Sequence, residues 1–161
     1  MDYYAIENRS GRWTNSPDFC YLDHDLFELN GKKMGIIGLG NTGMATARIA
    51  TGFGLQVLAY TSKDEDDLPY GIKSADLDTI FEQCDIVSLH CPLTEDTRHL
   101  VNTERLATMK SSAILINTGR GPIVDDAAVA EALNSDQLAA YGADVLTTEP
   151  PTADNPLLSA K

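Results

Sequence analysis

The chain has 161 residues, 43 % of them hydrophobic, and carries 24 acidic against 12 basic side chains for a formal charge of −12. This balance argues against a nucleic-acid or anionic-membrane partner, since both select clustered Lys and Arg, while the length is enough to bury a core without disulfide or metal staples. Cys20, Cys84 and Cys91 are odd in number and form no CxxC pair, so no metal site is expected, and a reducing, cytoplasmic setting is.

In chain order, residues 3–8 read as the end of a helix too short to stand alone. No basic stretch followed by an apolar run opens the chain, so no signal peptide is expected, and no apolar run has the length of a membrane span. Residues 9–29 carry Gly11, Trp13 and Pro17 and read as an irregular lead-in, of the kind that belongs with an absent neighbour or a partner. From Lys33 onward the pattern is regular. Strands are predicted over 34–38, 55–60, 85–92, 113–118 and 138–145. Helices are predicted over 42–52, 77–83, 103–109 and 126–133, the last capped by Asp125 or Asp126. Short apolar strands alternating with helices mean βαβ units. The expected fold is therefore α/β, a doubly wound parallel sheet of the Rossmann type with right-handed crossovers.

The first strand runs into GLGNTG, with glycines at 38, 40 and 43. Gly38 suits a tight turn, Gly40 a close approach of backbone to a pyrophosphate, and Gly43 close packing of the next helix on the strand. The amides of Asn41 and Thr42 would open that helix, where its dipole favours an anion. The strand before, the helix after and the second strand beyond give the motif the context of a dinucleotide site. An acidic residue is expected at the end of the second strand to hold ribose hydroxyls. Instead Thr61, Ser62 and Lys63 stand there, a set that does not repel a 2′-phosphate, so the choice between NAD and NADP stays open.

HCPLTEDT (90–97) follows the third strand, and Pro92 turns the chain across the top of the sheet. His90 and Cys91 are adjacent, which on a strand would point them to opposite faces, and His90 reads as a structural or supporting histidine. In AILINTGRGPIVDD (113–126), Gly119 and Gly121 would let the backbone make a sharp exposed turn. That turn would project Arg120 over the carboxyl edge of the sheet, where its planar fork suits a carboxylate or a polarised carbonyl. Asp144 and Glu149 follow the fifth strand, and a carboxylate there could hold a histidine's tautomer and raise its pKa.

Three stretches, MGIIGLGNTG with VLAYT, IFEQCDIVSLHCPLTEDTRHLVN, and MKSSAILINTGRGPIVD, together resemble the D-isomer-specific 2-hydroxyacid dehydrogenases, especially the glycerate dehydrogenase/hydroxypyruvate reductase and phosphoglycerate dehydrogenase branches. GRW (11–13) and ADVLTTEPP (143–151) are similar to the family as well. The resemblance implies a two-domain enzyme that moves a hydride between NAD or NADP and a small 2-oxo or 2-hydroxy acid. It implies that Arg120 binds the substrate carboxylate, that Glu149 supports the acid/base histidine, and that Asp144 holds the nicotinamide carboxamide. Thr118 and Gly119 would pass close to the cofactor, as would Cys91, Pro92 and Thr97. The family's catalytic histidine lies beyond the loop holding Glu149, and His24, His90 and His99 do not fit its place. The expected organisation is thus an interdomain helix remnant and arm over 1–30 and a dinucleotide-binding domain over 31–161, without the substrate domain. A homodimer through this domain is expected, with the arm packing on the second subunit. Two alternatives stand beside this reading. One is a non-catalytic dinucleotide-binding or sensing module; the other is part of a formate dehydrogenase-like enzyme.

Overall fold

A computed structural model describes residues 2–24 and 26–161; Met1 and Asp25, both inside the arm expected over 1–30, lie outside the described residues. In chain order the elements are α1 (Asp2–Arg9), β1 (Lys33–Ile37), α2 (Asn41–Gly52), β2 (Gln56–Tyr60), β3 (Ile72–Ser74), α3 (Leu77–Gln83), β4 (Ile86–Leu89), α4 (Thr103–Thr108), β5 (Ile114–Asn117), α5 (Asp126–Asn134) and β6 (Ala140–Ala143). The six strands form one sheet in the order β3-β2-β1-β4-β5-β6, and every pairing is parallel. The fold is the doubly wound α/β sheet that the alternation predicts, with the strand order reversing between β1 and β4.

The sequence predicts five strands, and the sixth is β3. It has three residues, of which only Ile72 is buried, so it carries no two-residue period to detect. The first strand is shifted by one residue at equal length, and the other predicted strands are shorter than predicted. β4 ends at Leu89 rather than at Pro92, and β6 covers Ala140–Ala143 rather than 138–145. Asp125, not Asp126, caps α5, its carboxylate accepting from the amides of Ala127 and Ala128.

Both faces of the sheet are covered, which is why β1 and β4 read as nearly unbroken apolar runs. On one face Ile37, Val87, Leu89 and Leu115 pack with Ile80, Phe81, Leu106 and Val129. On the other, Met34, Ile36, Val57 and Ala59 pack with Ala47 and Ala50 of α2. At the amino edge Asp85 ties three segments together. Its carboxylate accepts from the Lys33 amide and the Lys110 ammonium, each at 2.8 Å.

Arg9 of the expected lead-in closes α1; residues 10–29 have no helix or strand among the described ones, but they are pinned to α1. Arg12 donates to Glu7, Tyr3 and Asp23 and its guanidinium lies 4.4 Å from the centre of the Tyr21 ring. α1 itself buries no residue. Among the described residues no helix is long and apolar enough to cross a membrane.

Candidate functional site

The strand ends set the site. Parallel register aligns Ile37 with Tyr60 and with Leu89, Leu89 with Asn117, and Asn117 with Ala143. One residue further on, Thr61, Gly38, His90, Thr118 and Asp144 therefore stand in a single row along the carboxyl edge. In an open α/β sheet that edge, where the strand order reverses, is where the crevice forms.

Two cavities open there. One, of about 530 Å³, is lined by Gly38, Leu39, Gly40, Tyr60, Thr61, Ser62, Lys63, His90, Cys91 and Pro92. The other, of about 520 Å³, is lined by Thr42, His90, Cys91, Pro92, Leu93, Thr118, Gly119 and Arg120. They share His90, Cys91 and Pro92, so one trough runs from Lys63 to Arg120. A third cavity, of about 280 Å³, continues it through Arg120 to Gly121, Leu146 and Glu149.

The three glycines after β1 differ in what surrounds them. Gly38 has φ +96°, and a Cβ there would lie 2.7 Å from the Cys91 amide nitrogen. That position needs glycine twice over, for the left-handed backbone and for the crossing chain. Gly43 is buried beneath the same turn, and a Cβ on it would meet the Gly38 carbonyl oxygen at 2.1 Å. Gly40 is different. Its φ of −77° and ψ of −163° are open to any residue, and apart from its own chain neighbours no atom of the described residues lies within 4 Å of where its Cβ would be. No contact among the described residues requires a glycine there. A group from outside that approaches the backbone would, and the first turn of α2 adds free amides and a favourable dipole. The residues present therefore fit a bound diphosphate.

Arg120 is exposed. Its Nη1 donates to its own neighbour's carbonyl, Gly119 O, at 2.8 Å, and among the described residues no carboxylate lies within ion-pair distance of it. The flanking glycines act otherwise than expected. Neither has a positive φ, so neither makes a turn that only glycine permits. A Cβ on Gly119 would make ordinary contacts at 3.4 Å, whereas one on Gly121 would sit 2.0 Å from the Leu146 carbonyl. Gly121 thus admits the backbone that follows β6. What holds the arginine loop is Asn117, fully buried, whose Oδ1 accepts from Gly119 N and whose Nδ2 donates to Arg120 O, both at 3.0 Å. The sequence signal for Asn117 was a lone amide ending an apolar strand.

His90 and Cys91 lie beyond the end of β4 and both border the trough, yet the strand's alternation carries on to them as expected: His90 lies with Ser88, and Cys91 packs into the core cluster with Leu89. His90 Nε2 shares a hydrogen bond with Ser88 Oγ at 2.9 Å, and burial lowers its pKa. Burial raises the Cys91 thiol, which disfavours a reactive thiolate.

The trough thus brings together Gly38, Gly40, Thr42, Thr61, Ser62, Lys63, Cys91, Pro92, Thr118, Gly119 and Arg120. Asn41, Gly43, Thr97 and Asp144 are not on its lining. Thr97 instead shapes the 90–97 loop, donating to Pro92 O at 2.7 Å and accepting from Thr94 N at 2.8 Å. Asp144 is exposed at the far end of the row. Glu149 is on the third cavity, with Oε1 accepting from Leu146 N at 2.8 Å. Leu39, Tyr60 and Leu93, which also line the trough, were not singled out by the sequence reading.

Residues 1–161 match the family described as D-isomer specific 2-hydroxyacid dehydrogenase, NAD binding domain. A hydroxypyruvate reductase of Blautia hydrogenotrophica is 45 % identical over 152 residues, which are 94 % of this chain and 47 % of that protein. A glycerate dehydrogenase of Methylorubrum extorquens is 42 % identical over 157 residues, 98 % of this chain and 48 % of that one. A D-lactate dehydrogenase of Aquifex aeolicus, solved with NAD and lactic acid, superposes with a TM-score of 0.81 at 32 % identity, over 98 % of this chain and 50 % of that one. The chain spans about half the length of the curated relatives it matches.

Proposed function

From the premise that the chain belongs to the D-isomer specific 2-hydroxyacid dehydrogenase family, as its NAD-binding domain, we propose that it holds a nicotinamide dinucleotide along the trough for an enzyme reducing small 2-oxo acids such as hydroxypyruvate or glyoxylate. The observation that carries the reading is Gly40, at the N-cap of α2 on the trough, whose glycine no contact among the described residues explains. That trough is continuous with the exposed guanidinium of Arg120, which forms no ion pair among the described residues. Gly38, Gly40 and the amides of Asn41 and Thr42 would hold the diphosphate, with Gly43 keeping α2 close beneath them. Thr61, Ser62 and Lys63 would meet the adenosine ribose of NAD or NADP. Cys91, Pro92, Thr97, Thr118, Gly119 and Asp144 would face or frame the nicotinamide half.

When bound, the nicotinamide supplies or accepts a hydride. The chain's own contribution is position and charge. Arg120 takes the acid's carboxylate in a planar fork, which fixes the direction of the adjacent carbonyl. Glu149, next along the trough, would hold an acid/base imidazole in the tautomer and charge state that proton transfer needs. Two copies pair in this reading through the arm, where Phe19 and Leu26 are 91 % and 81 % exposed, and the setting is cytoplasmic.

The test is titration of the chain with NADH, followed by nicotinamide fluorescence, and an assay of NADH oxidation with hydroxypyruvate or glyoxylate. Saturable binding is expected; its absence overturns the reading. The second reading, a binding module without chemistry, is favoured by one observation: among the described residues no histidine lines the cavity holding Glu149. Consistent with that, the 161 residues alone are expected to bind NADH with little turnover, because an acid/base group contributes about a hundredfold to ten-thousandfold. Robust turnover would place the proton donor among these residues.

A further inference from the structure

Building on the carboxylate role given to Arg120 above, we propose that Asn117 is a positioning residue for that arginine: its buried amide clamps both sides of the turn over 118–120 and so fixes where the guanidinium meets a substrate carboxylate. Among the described residues only three polar side chains are buried, those of Asp85, Ser88 and Asn117. Asp85 meets the Lys33 amide and the Lys110 ammonium, and Ser88 meets His90. Asn117, with no exposure at all, commits both ends of its amide to the backbone of one turn. Oδ1 accepts from Gly119 N and Nδ2 donates to Arg120 O, both at 3.0 Å. One partner is an N–H and the other a C=O, so the amide fits only this way round. The backbone carbonyl of Asn117 accepts from Asp144 N at 3.1 Å, which ties the start of the turn to the end of β6 as well.

The guanidinium depends on this turn. Arg120 is exposed and forms no ion pair among the described residues. Its Nη1 donates to Gly119 O at 2.8 Å, an atom of the residue whose amide Asn117 holds. The contacts therefore run in series, from the buried amide to Gly119 and from Gly119 to the fork. A buried amide is costly unless both its ends are paired, and an apolar residue would close β5 without that demand. What the place asks for is a donor and an acceptor on one short side chain, and the turn they hold carries the one arginine on the trough. If the turn pivots, the fork moves with it, and a misplacement of about 1 Å can cost about a hundredfold in rate.

The experiment places Asn117→Asp, Asn117→Leu and Arg120→Lys in an enzyme that contains this domain and measures the KM for hydroxypyruvate and the NADH affinity from about pH 5.5 to 9. A carboxyl group in place of the amide accepts from Gly119 N in either state but donates to Arg120 O only when protonated, and burial lifts its pKa above the ordinary value of about 3.9. Asn117→Asp is therefore expected to raise KM at least about tenfold at the alkaline end and to return toward the unaltered value as the pH falls and the carboxyl takes up its proton. Asn117→Leu, which has no donor, is expected to keep the raised KM throughout, and NADH affinity is expected to stay within about threefold in both. A lost packing contact would show no such rescue. An Asn117→Asp enzyme whose KM is unchanged, or raised equally at every pH, overturns the clamp, as does a loss of NADH affinity in step with KM. In the unaltered chain, without any variant, the Gly119 amide should exchange with solvent at least about a hundredfold more slowly than an unprotected amide, and exchange at the unprotected rate also overturns it. A KM raised in Arg120→Lys but not in the Asn117 variants rejects the clamp and keeps the carboxylate role; a KM unmoved in all three refutes the role on which it rests.

Discussion

Gly40 and Gly43 lie three residues apart in one motif, and the structure predicts opposite consequences for the same added methyl. In Gly43→Ala the new Cβ lies 2.1 Å from the Gly38 carbonyl oxygen and 3.3 Å from His90 Cβ. The first contact is with backbone, so α2 must move off β1 by about an ångström, and overpacking of this kind costs about 1–3 kcal/mol. The better helix propensity of alanine returns at most about 1 kcal/mol. For a domain of this size each kcal/mol is about 2–4 °C of melting temperature, so the expected fall is a few degrees. In Gly40→Ala the methyl enters open space on a backbone any residue can adopt. Loss of a glycine at the helix cap costs about 1 kcal/mol or less, and the stiffer unfolded chain returns about 0.4–1 kcal/mol. Its melting temperature should stay within about 3 °C of the unaltered chain. Its NADH affinity should nevertheless fall by at least about tenfold, because the methyl stands between the amides of α2 and an approaching diphosphate and breaks charge-assisted hydrogen bonds. Thermal melts and NADH titrations of the two variants give both readouts. A Gly40→Ala protein that binds NADH normally would refute the claim that this glycine serves an outside group.

Asp85→Asn removes the charge that joins the Lys33 amide and the Lys110 ammonium, and should lower unfolding free energy in urea by about 1–3 kcal/mol at pH 7. Burial alone would raise the Asp85 pKa, yet the Lys110 and Lys33 hydrogen bonds hold it below the ordinary value. Its stabilisation is therefore complete above the unfolded pKa of about 3.9 and is lost as pH falls through the lower folded value. The gap between the two proteins should close in acid, and a gap that widened would contradict the assignment. Gly121→Ala drives a Cβ to 2.0 Å from the Leu146 carbonyl and should cost about 1–3 kcal/mol, whereas Gly119→Ala, with contacts of 3.4 Å, should stay within about 1 kcal/mol; comparable melts for both would undo the packing argument. Arg120→Lys keeps the charge but loses the fork. On the function proposed above, it should raise the KM for hydroxypyruvate about tenfold in an enzyme that contains this domain and leave the melting temperature within about 2 °C, and an unchanged KM would remove Arg120 from carboxylate binding.

The fold was legible because its signals are local. Each βαβ unit repeats an apolar strand, a punctuating glycine or proline and a helix, and parallel strands buried on both faces read as apolar runs whatever their neighbours. β3 escaped because three residues with one of them buried display no period. The site was legible only where a backbone demand left a mark in the residue type. Gly38 and Gly43 carry two such demands, whereas Gly40 meets none within the chain. Gly121 carries one whose cause, the Leu146 carbonyl, is 25 positions away and invisible to local reading. Asn117 and His90 act by holding neighbours, a role that depends on which strand ends lie side by side. That dependence is the deeper reason the candidate residues come from five separated stretches. The register aligns the strand ends, so each loop begins in the same row. A one-residue slip of β5 against β4 would exchange the faces of every side chain on it and carry Thr118 and Arg120 out of line with Gly38. The trough is thus a consequence of core packing: the residues that hold β4 and β5 in register, Val87, Leu89 and Leu115, also decide whether the guanidinium of Arg120 lies in line with Gly40 along the trough.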